Sequence, residues 1–300
     1  MNLPFLFRQL TREIQSMADG RKKIKAKVKL KEGTVDVCVR YFSKKWADKI
    51  LNLTVNCLPE IESAAGFPYP RNYGIEIYQA NYKDLKANDG ENRGEDGIWL
   101  KPSAFDSYLV HEIAHCWTGM IDETWLMEGL ADLYAYIALK NNKRHSDAST
   151  IKSGGFSEYY KYLKFPENKD FPLDGFTMEN FPKNKIYYGV GKSFVFIYTI
   201  YMEYGIEIIQ AANRKLYERY KQDGKMADSK DYKKAYEEVT GRNMDHLFSG
   251  WIFPGEYKVK LDEVVKKENE IKEKMKESGN RGLMSSERYR KFVKRIVENI

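Results

Sequence analysis

The chain has 300 residues, 42% of them hydrophobic, which is enough apolar content for one large domain or two small ones. Its formal net charge is +7, and no run approaches the roughly 18 apolar residues that a membrane span needs, so no membrane span is expected. No groove-reading motif accompanies the positive charge, and nucleic-acid binding is not expected either.

The N-terminal apolar patch, Leu3 to Phe7, is too short for the core of a secretory signal, and no small-residue cleavage site follows it. The chain therefore reads as cytoplasmic, although a secreted chain already trimmed of its signal would read the same. Residues 22–30 alternate apolar and polar, as do residues 34–41, and Glu32-Gly33 between them reads as a hairpin turn. A helix follows over 44–64 with Trp46, Ile50, Leu53 and Cys57 on one side, and YGIEIYQ reads as a third strand. NDGENRGEDG reads as a polar, glycine-rich loop without the spacing of a calcium hand, and GIWL, 97–100, as a short strand.

From about residue 105 the pattern turns helical, with helices expected over 105–119, 124–140, 189–204, 206–221, 230–240 and 243–252. Segment 141–186, rich in Gly, Pro, Asn and Lys, reads as a long irregular surface connection of the kind that often edges a site. Residues 258–277 and 285–298 read as charged amphipathic helices. The tail 256–300 carries 13 Lys or Arg against 9 Asp or Glu, a mixed-sign pattern that suits a solvated surface. Cys38, Cys57 and Cys116 form no metal-binding pair and are read as reduced thiols, with a Cys38–Cys57 disulfide as the alternative.

Residues 111–115 read His-Glu-Ile-Ala-His. Two histidines four apart lie on one helical face and can both offer a ring nitrogen to one zinc ion. Glu112 projects beside them and suits a general base that takes a proton from water. The positions three and six after His115 are Thr118 and Ile121, which excludes the metzincin continuation of the motif. TWLMEGLAD supplies a carboxylate, Glu128, on the next helix, thirteen positions after His115. Two His, one Glu and an open fourth position make a catalytic rather than a closed structural zinc site. Asp132, four residues after Glu128 on the same face, is placed to accept the second ring N–H of a zinc histidine, His111 being the one expected.

HEIAH with Trp117, followed by Trp125, Leu126, Glu128 and Gly129, resembles the gluzincin metallopeptidases of the aminopeptidase N type. The spacing is nearer that of the shorter peptidase MA-like proteins. The resemblance runs unevenly from about residue 35 to 253 and includes GRNMDHLFSGWIF as a late helix. It implies that a Tyr three residues ahead of a Gly donates to the oxyanion. Tyr188, three before Gly191, is in that place, and Tyr187 is the alternative. It also implies that a strand upstream of the metal helix holds an extended substrate, a part assigned to Gly97, Ile98, Trp99 and Leu100. GFTMEN, 175–180, is similar to the Gly-x-Met-Glu-Asn segment with which aminopeptidases grip a free amino terminus. It has one residue too many and follows the zinc motif, so it is set aside. His145 and His246 read as a solvated loop residue and a half-buried helix residue.

The expected fold is α+β and zincin-like: a small twisted mixed sheet, then a mostly helical half, then a helical C-terminal tail. The expected division is a metallopeptidase domain over 1–255, with its sheet-bearing half at 20–104 and helical half at 105–255, and an extension over 256–300. The expected function is hydrolysis of peptide bonds in a peptide or protein substrate, with one Zn2+ per chain. The alternative is a zinc-bearing scaffold of the same fold with little or no peptidase activity.

Overall fold

The computed structural model describes residues 20–81, 83–85, 89–168, 171–179 and 181–254. The apolar patch at 3–7 and the tail at 256–300 lie outside these residues. Strands β1 (Lys22–Lys29) and β2 (Thr34–Tyr41) form the expected hairpin, antiparallel from Lys22 opposite Tyr41 to Lys29 opposite Thr34. Helix α1 (Lys44–Ala65) starts at Ser43, whose side chain accepts from the Trp46 N–H. It ends where Gly66 adopts a left-handed φ of 84° and its N–H reaches the Glu62 carbonyl. Ala47, Ile50, Leu53, Cys57 and Ile61 are buried at helical spacing, and that stripe covers one face of the sheet.

β3 (Ile75–Gln79) pairs parallel with β2, and β5 (Ile98–Leu100) pairs parallel with β3. Between them in sequence lies β4 (Gly90–Asn92), antiparallel to β5, so the order is β1-β2-β3-β5-β4. Three of the polar residues read as loop therefore form the outer strand. Val37, Val39, Ile75, Ile77, Ile98 and Leu100 face inward and join one core with the helices. All three cysteines are free and buried. Cys38 alternates with Val37 and Val39 and so points away from the face that α1 and Cys57 cover.

Helix α2 (Asp106–Ala114) runs into a 3-10 turn over His115–Trp117, and α3 (Thr124–Asn141) follows. α3 is buried almost all round and is the central helix of the second half. Gly129 lets it approach closely: a Cβ there would lie 2.9 Å from the Ser193 carbonyl oxygen. The expected irregular connection contains a nineteen-residue helix, α4 (His145–Leu163). Gly155 in this helix serves its packing, because a Cβ on it would meet the Phe194 ring at 2.4 Å. α5 (Lys183–Tyr204) begins after Pro182, six residues before the expected start at 189, and packs on α3 and α4. α6 (Ile206–Asp223), α7 (Ser229–Thr240, with an Asp228/Asp231 capping box) and α8 (Asp245–Phe248) are the last helices of the described residues. The last is a single turn rather than the expected helix over 243–252. A small mixed sheet followed by a mostly helical part is the expected class. Among the described residues no helix is long and apolar enough to cross a membrane.

Candidate metal centre

α2 presents His111, the 3-10 turn that continues it presents His115 on the same side, and their Nε2 atoms lie 3.0 Å apart. α3 brings Glu128 across from them, with Oε2 3.3 Å from His111 Nε2 and Oε1 3.5 Å from His115 Nε2. The three residues each offer one ligand atom, all within 4.8 Å of one another. The side chains are 14–17% exposed, so the cluster borders a surface opening and is not sealed in the core.

The outer ring nitrogens are held from behind. Asp132 Oδ1 accepts from His111 Nδ1 at 2.7 Å. Thr118 Oγ1 lies 3.2 Å from His115 Nδ1 and donates its own proton to the His115 carbonyl, so it accepts from the ring. These bonds put the ring protons on both Nδ1 atoms and leave both Nε2 lone pairs bare. Two bare nitrogens and a carboxylate facing one another form a pocket for a cation: a proton on His111, or a metal ion shared by all three. Charges shift accordingly. Burial opposes protonation of His111, but Asp132 and Glu128 outweigh it and hold the imidazole well above its usual range. Burial pushes His115 down to about 4. Glu128 is held below its usual range, the two histidines outweighing its burial. The donor set, two imidazoles and one carboxylate with an open side, fits zinc.

Glu112 points from the same helix toward the sheet. It is buried, and burial, reinforced by Glu128, raises its carboxyl to about 7. β4 forms its wall. A Cβ on Gly90 would lie 3.4 Å from Glu112 Cγ, and the Asn92 amide donates to the Glu112 carbonyl at 2.6 Å. The same amide lies 3.8 Å from Cys116 Sγ. Sequence reasoning missed this strand. Gly90 lies two residues after Asn88 in the glycine-rich loop NDGENRGEDG, whose Glu91-Asn92 precedes the short strand GIWL. GFTMEN lies between α4 and α5, where the Gly175 N–H donates to Glu123. Ile98, Trp99 and Leu100 are paired with β3 on one side and β4 on the other, and the Gly97 carbonyl accepts from the Arg93 N–H. These strand residues therefore have no backbone edge for a further strand; among the described residues that edge belongs to β4.

Tyr188 lies in the second turn of α5, 1% exposed, its ring stacked on Tyr159 at 5.6 Å. Lys192, one turn on, is buried, donates to the Phe171 carbonyl and lies 5.9 Å from the Tyr188 ring. Gly191 permits this contact between α4 and α5, because a Cβ on it would sit 2.5 Å from the Tyr159 nitrogen and 3.0 Å from Glu158 Cβ. Tyr187 is 38% exposed and stacks on Tyr162. His145 opens α4 and His246 lies in α8, both outside the cluster.

No family model matches the chain, and no curated protein matches it. Solved structures do. An M1 zinc metallopeptidase from Deinococcus radiodurans superposes with a TM-score of 0.57 at 12% identity over 78% of this chain and 53% of its own. Native yeast LTA4 hydrolase gives 0.55 at 14% identity, over 79% of this chain and 40% of its own. Legionella pneumophila aminopeptidase A in complex with aspartic acid gives 0.53 at 13% identity, over 79% and 28%. The chain thus spans about half, or less, of the length of these proteins. At such identities the likeness is one of fold alone.

Proposed function

We propose that the protein is a zinc-dependent metallopeptidase that hydrolyses peptide bonds in peptide or protein substrates. The observation that carries the reading is the convergence of three ligand atoms, from His111, His115 and Glu128, with the raised carboxyl of Glu112 beside them. Zinc held there would supply a Lewis acid that lowers the pKa of water and polarises the substrate carbonyl. Everything else is done by the chain. Asp132 and Thr118 keep the imidazoles in the tautomer that presents Nε2. Glu112 receives a proton from the attacking water and delivers it to the leaving amine, and a carboxyl near neutrality suits both halves of that transfer. The outer edge of β4 pairs with an extended peptide beside Glu112. The phenol of Tyr188 donates to the developing oxyanion; the sequence resemblance supports that role.

The test is elemental analysis of the purified protein together with a peptide-library cleavage assay, with and without a chelator. Stoichiometric zinc and chelator-sensitive cleavage are expected. Zinc without cleavage would leave a metal-bearing scaffold, and no zinc at all would remove the reading.

A further inference from the structure

Between α1 and β3 the chain runs Phe67-Pro68-Tyr69-Pro70-Arg71-Asn72-Tyr73, a segment with no helix or strand of its own. Pro68 and Pro70 fix their own φ and bias the residue before each toward extended backbone, so alternate positions project to one side. Three such positions meet the turn that follows the metal helix. The Phe67 carbonyl accepts from Trp117 Nε1 at 3.2 Å. The Tyr69 ring packs edge-on against the Trp117 ring at 5.2 Å. Arg71 Nε donates to the Cys116 carbonyl at 3.3 Å.

Arg71 is itself held in place. Its Nη1 donates to the Tyr73 hydroxyl at 2.5 Å, just ahead of β3, and its guanidinium lies 5.6 Å from the centre of that ring. Gly119 makes room for the rest of the fork, because a Cβ there would lie 2.7 Å from Nη2. Arg71 therefore contacts the chain on both sides of Thr118, at the Cys116 carbonyl before it and at Gly119 after it.

Thr118 is buried, and its hydroxyl holds the outer nitrogen of the His115 ring. His115 stands where the α-helical ladder gives way to a 3-10 turn, so the helix alone does not fix it. Carbonyls past the end of a helix need partners from elsewhere, and the charged fork of Arg71 supplies one to Cys116. The guanidinium has the same sign of charge as a metal ion, so its direct field opposes a cation. Its service to the site runs through the backbone it grips.

We propose that Arg71 is a positioning residue for the metal centre: by fixing the turn 116–119 it keeps Thr118 against His115 Nδ1, and so keeps His115 Nε2 turned toward His111 and Glu128. The inference rests on the metal-site reading above and adds to it a residue from the segment between α1 and β3.

The test is a double-mutant cycle on zinc affinity in the full-length protein, by competition with a chromophoric chelator at one fixed pH. Arg71→Met is expected to weaken zinc by about two- to fivefold, and by no more than Thr118→Ala does, since it acts through that hydroxyl. Arg71→Lys, which keeps the charge but not the fork, is expected to lose as much. Arg71→Met added to Thr118→Ala should cost little more, whereas added to Asp132→Ala, which acts on the other ring, it should multiply the loss. Gly119→Ala displaces Nη2 without altering the arginine and should behave as Arg71→Met does, which keeps the test open if one of the two fails to fold. Unchanged affinity in Arg71→Met overturns the assignment. So does full affinity in Arg71→Lys, or a loss that multiplies with Thr118→Ala. The metal-free protein gives a second reading. Long-range proton–nitrogen NMR spectra should show His115 in its Nδ1–H tautomer, and Arg71→Met should mix the two tautomers. If the unaltered protein binds no zinc but the tautomer depends on Arg71, the positioning role stands and the metal-site reading fails. If zinc binds and neither affinity nor tautomer responds to Arg71, the reverse is true. If zinc does not bind and the tautomer is unmoved, both fail.

Discussion

Removing the carboxylate behind His111 should weaken zinc binding by a predictable amount. The Asp132 oxygen is 2.7 Å from Nδ1, and its side chain is 16% exposed, so water screens the bond only partly. A charge-assisted hydrogen bond of this kind fixes the tautomer and makes Nε2 a stronger donor to the metal. Asp132→Ala should therefore cost about 10- to 100-fold in zinc affinity, or roughly 1.4–2.7 kcal/mol. The corresponding contact on the other ring is weaker, a neutral hydroxyl at 3.2 Å. Thr118→Ala should cost about 1 kcal/mol, roughly fivefold. Asp132→Asn keeps an acceptor for the ring proton but loses the charge, and should fall between Asp132→Ala and the unaltered protein. The assay is competition for zinc against a chromophoric chelator at one fixed pH, with folding checked by circular dichroism. Unchanged affinity in Asp132→Ala, or a larger loss in Thr118→Ala, would refute the reasoning.

Glu112→Gln should retain zinc at full stoichiometry while kcat/KM falls by roughly 10^2–10^4, measured on any peptide the unaltered protein cleaves. Trp125 is fully buried between Phe196 and Tyr232, and its Nε1 donates to Ser229 Oγ at 3.0 Å. Trp125→Ala should cost about 3–5 kcal/mol and lower the melting temperature by about 6–20 °C in a thermal scan. Glu158 has its folded carboxyl raised from the ordinary 4.5 to about 7, so over that interval the folded chain holds a proton that the unfolded chain releases. Stability contributed by the protonated group is therefore lost as pH rises from about 4.5 through about 7. Glu158→Gln should make the metal-free protein more stable at pH 8 by about 1–3 kcal/mol and leave it unchanged near pH 4, by chemical denaturation. Equal effects at both pH values would contradict the burial of this charge.

The parts legible in the chain were those set by local periodicity. A four-residue spacing on a helix puts His111 and His115 on one face, and the same spacing links Glu128 to Asp132, whatever surrounds them. The β1–β2 hairpin and α1 were equally local, because alternation and a 3.6-residue stripe of Ile50, Leu53 and Cys57 need no distant partner to be recognised. What escaped was specified by partners far away in sequence. Gly90–Asn92 has no strand-forming composition; it is a strand because β5 and α2 flank it. Gly154-Gly155 has low helix propensity, yet the Phe194 ring packs so close to Gly155 that a side chain there would not fit. Glu158 on an amphipathic helix looks like any solvated carboxylate. Only the packing of α4 against its neighbouring helices leaves it half-buried. The sequence determined by itself which side chains could hold a metal, since that depends on residue type and helical pitch. Tertiary structure alone decided which strand walls the base and which distant groups border the opening, since both depend on surfaces that meet only when the chain is folded.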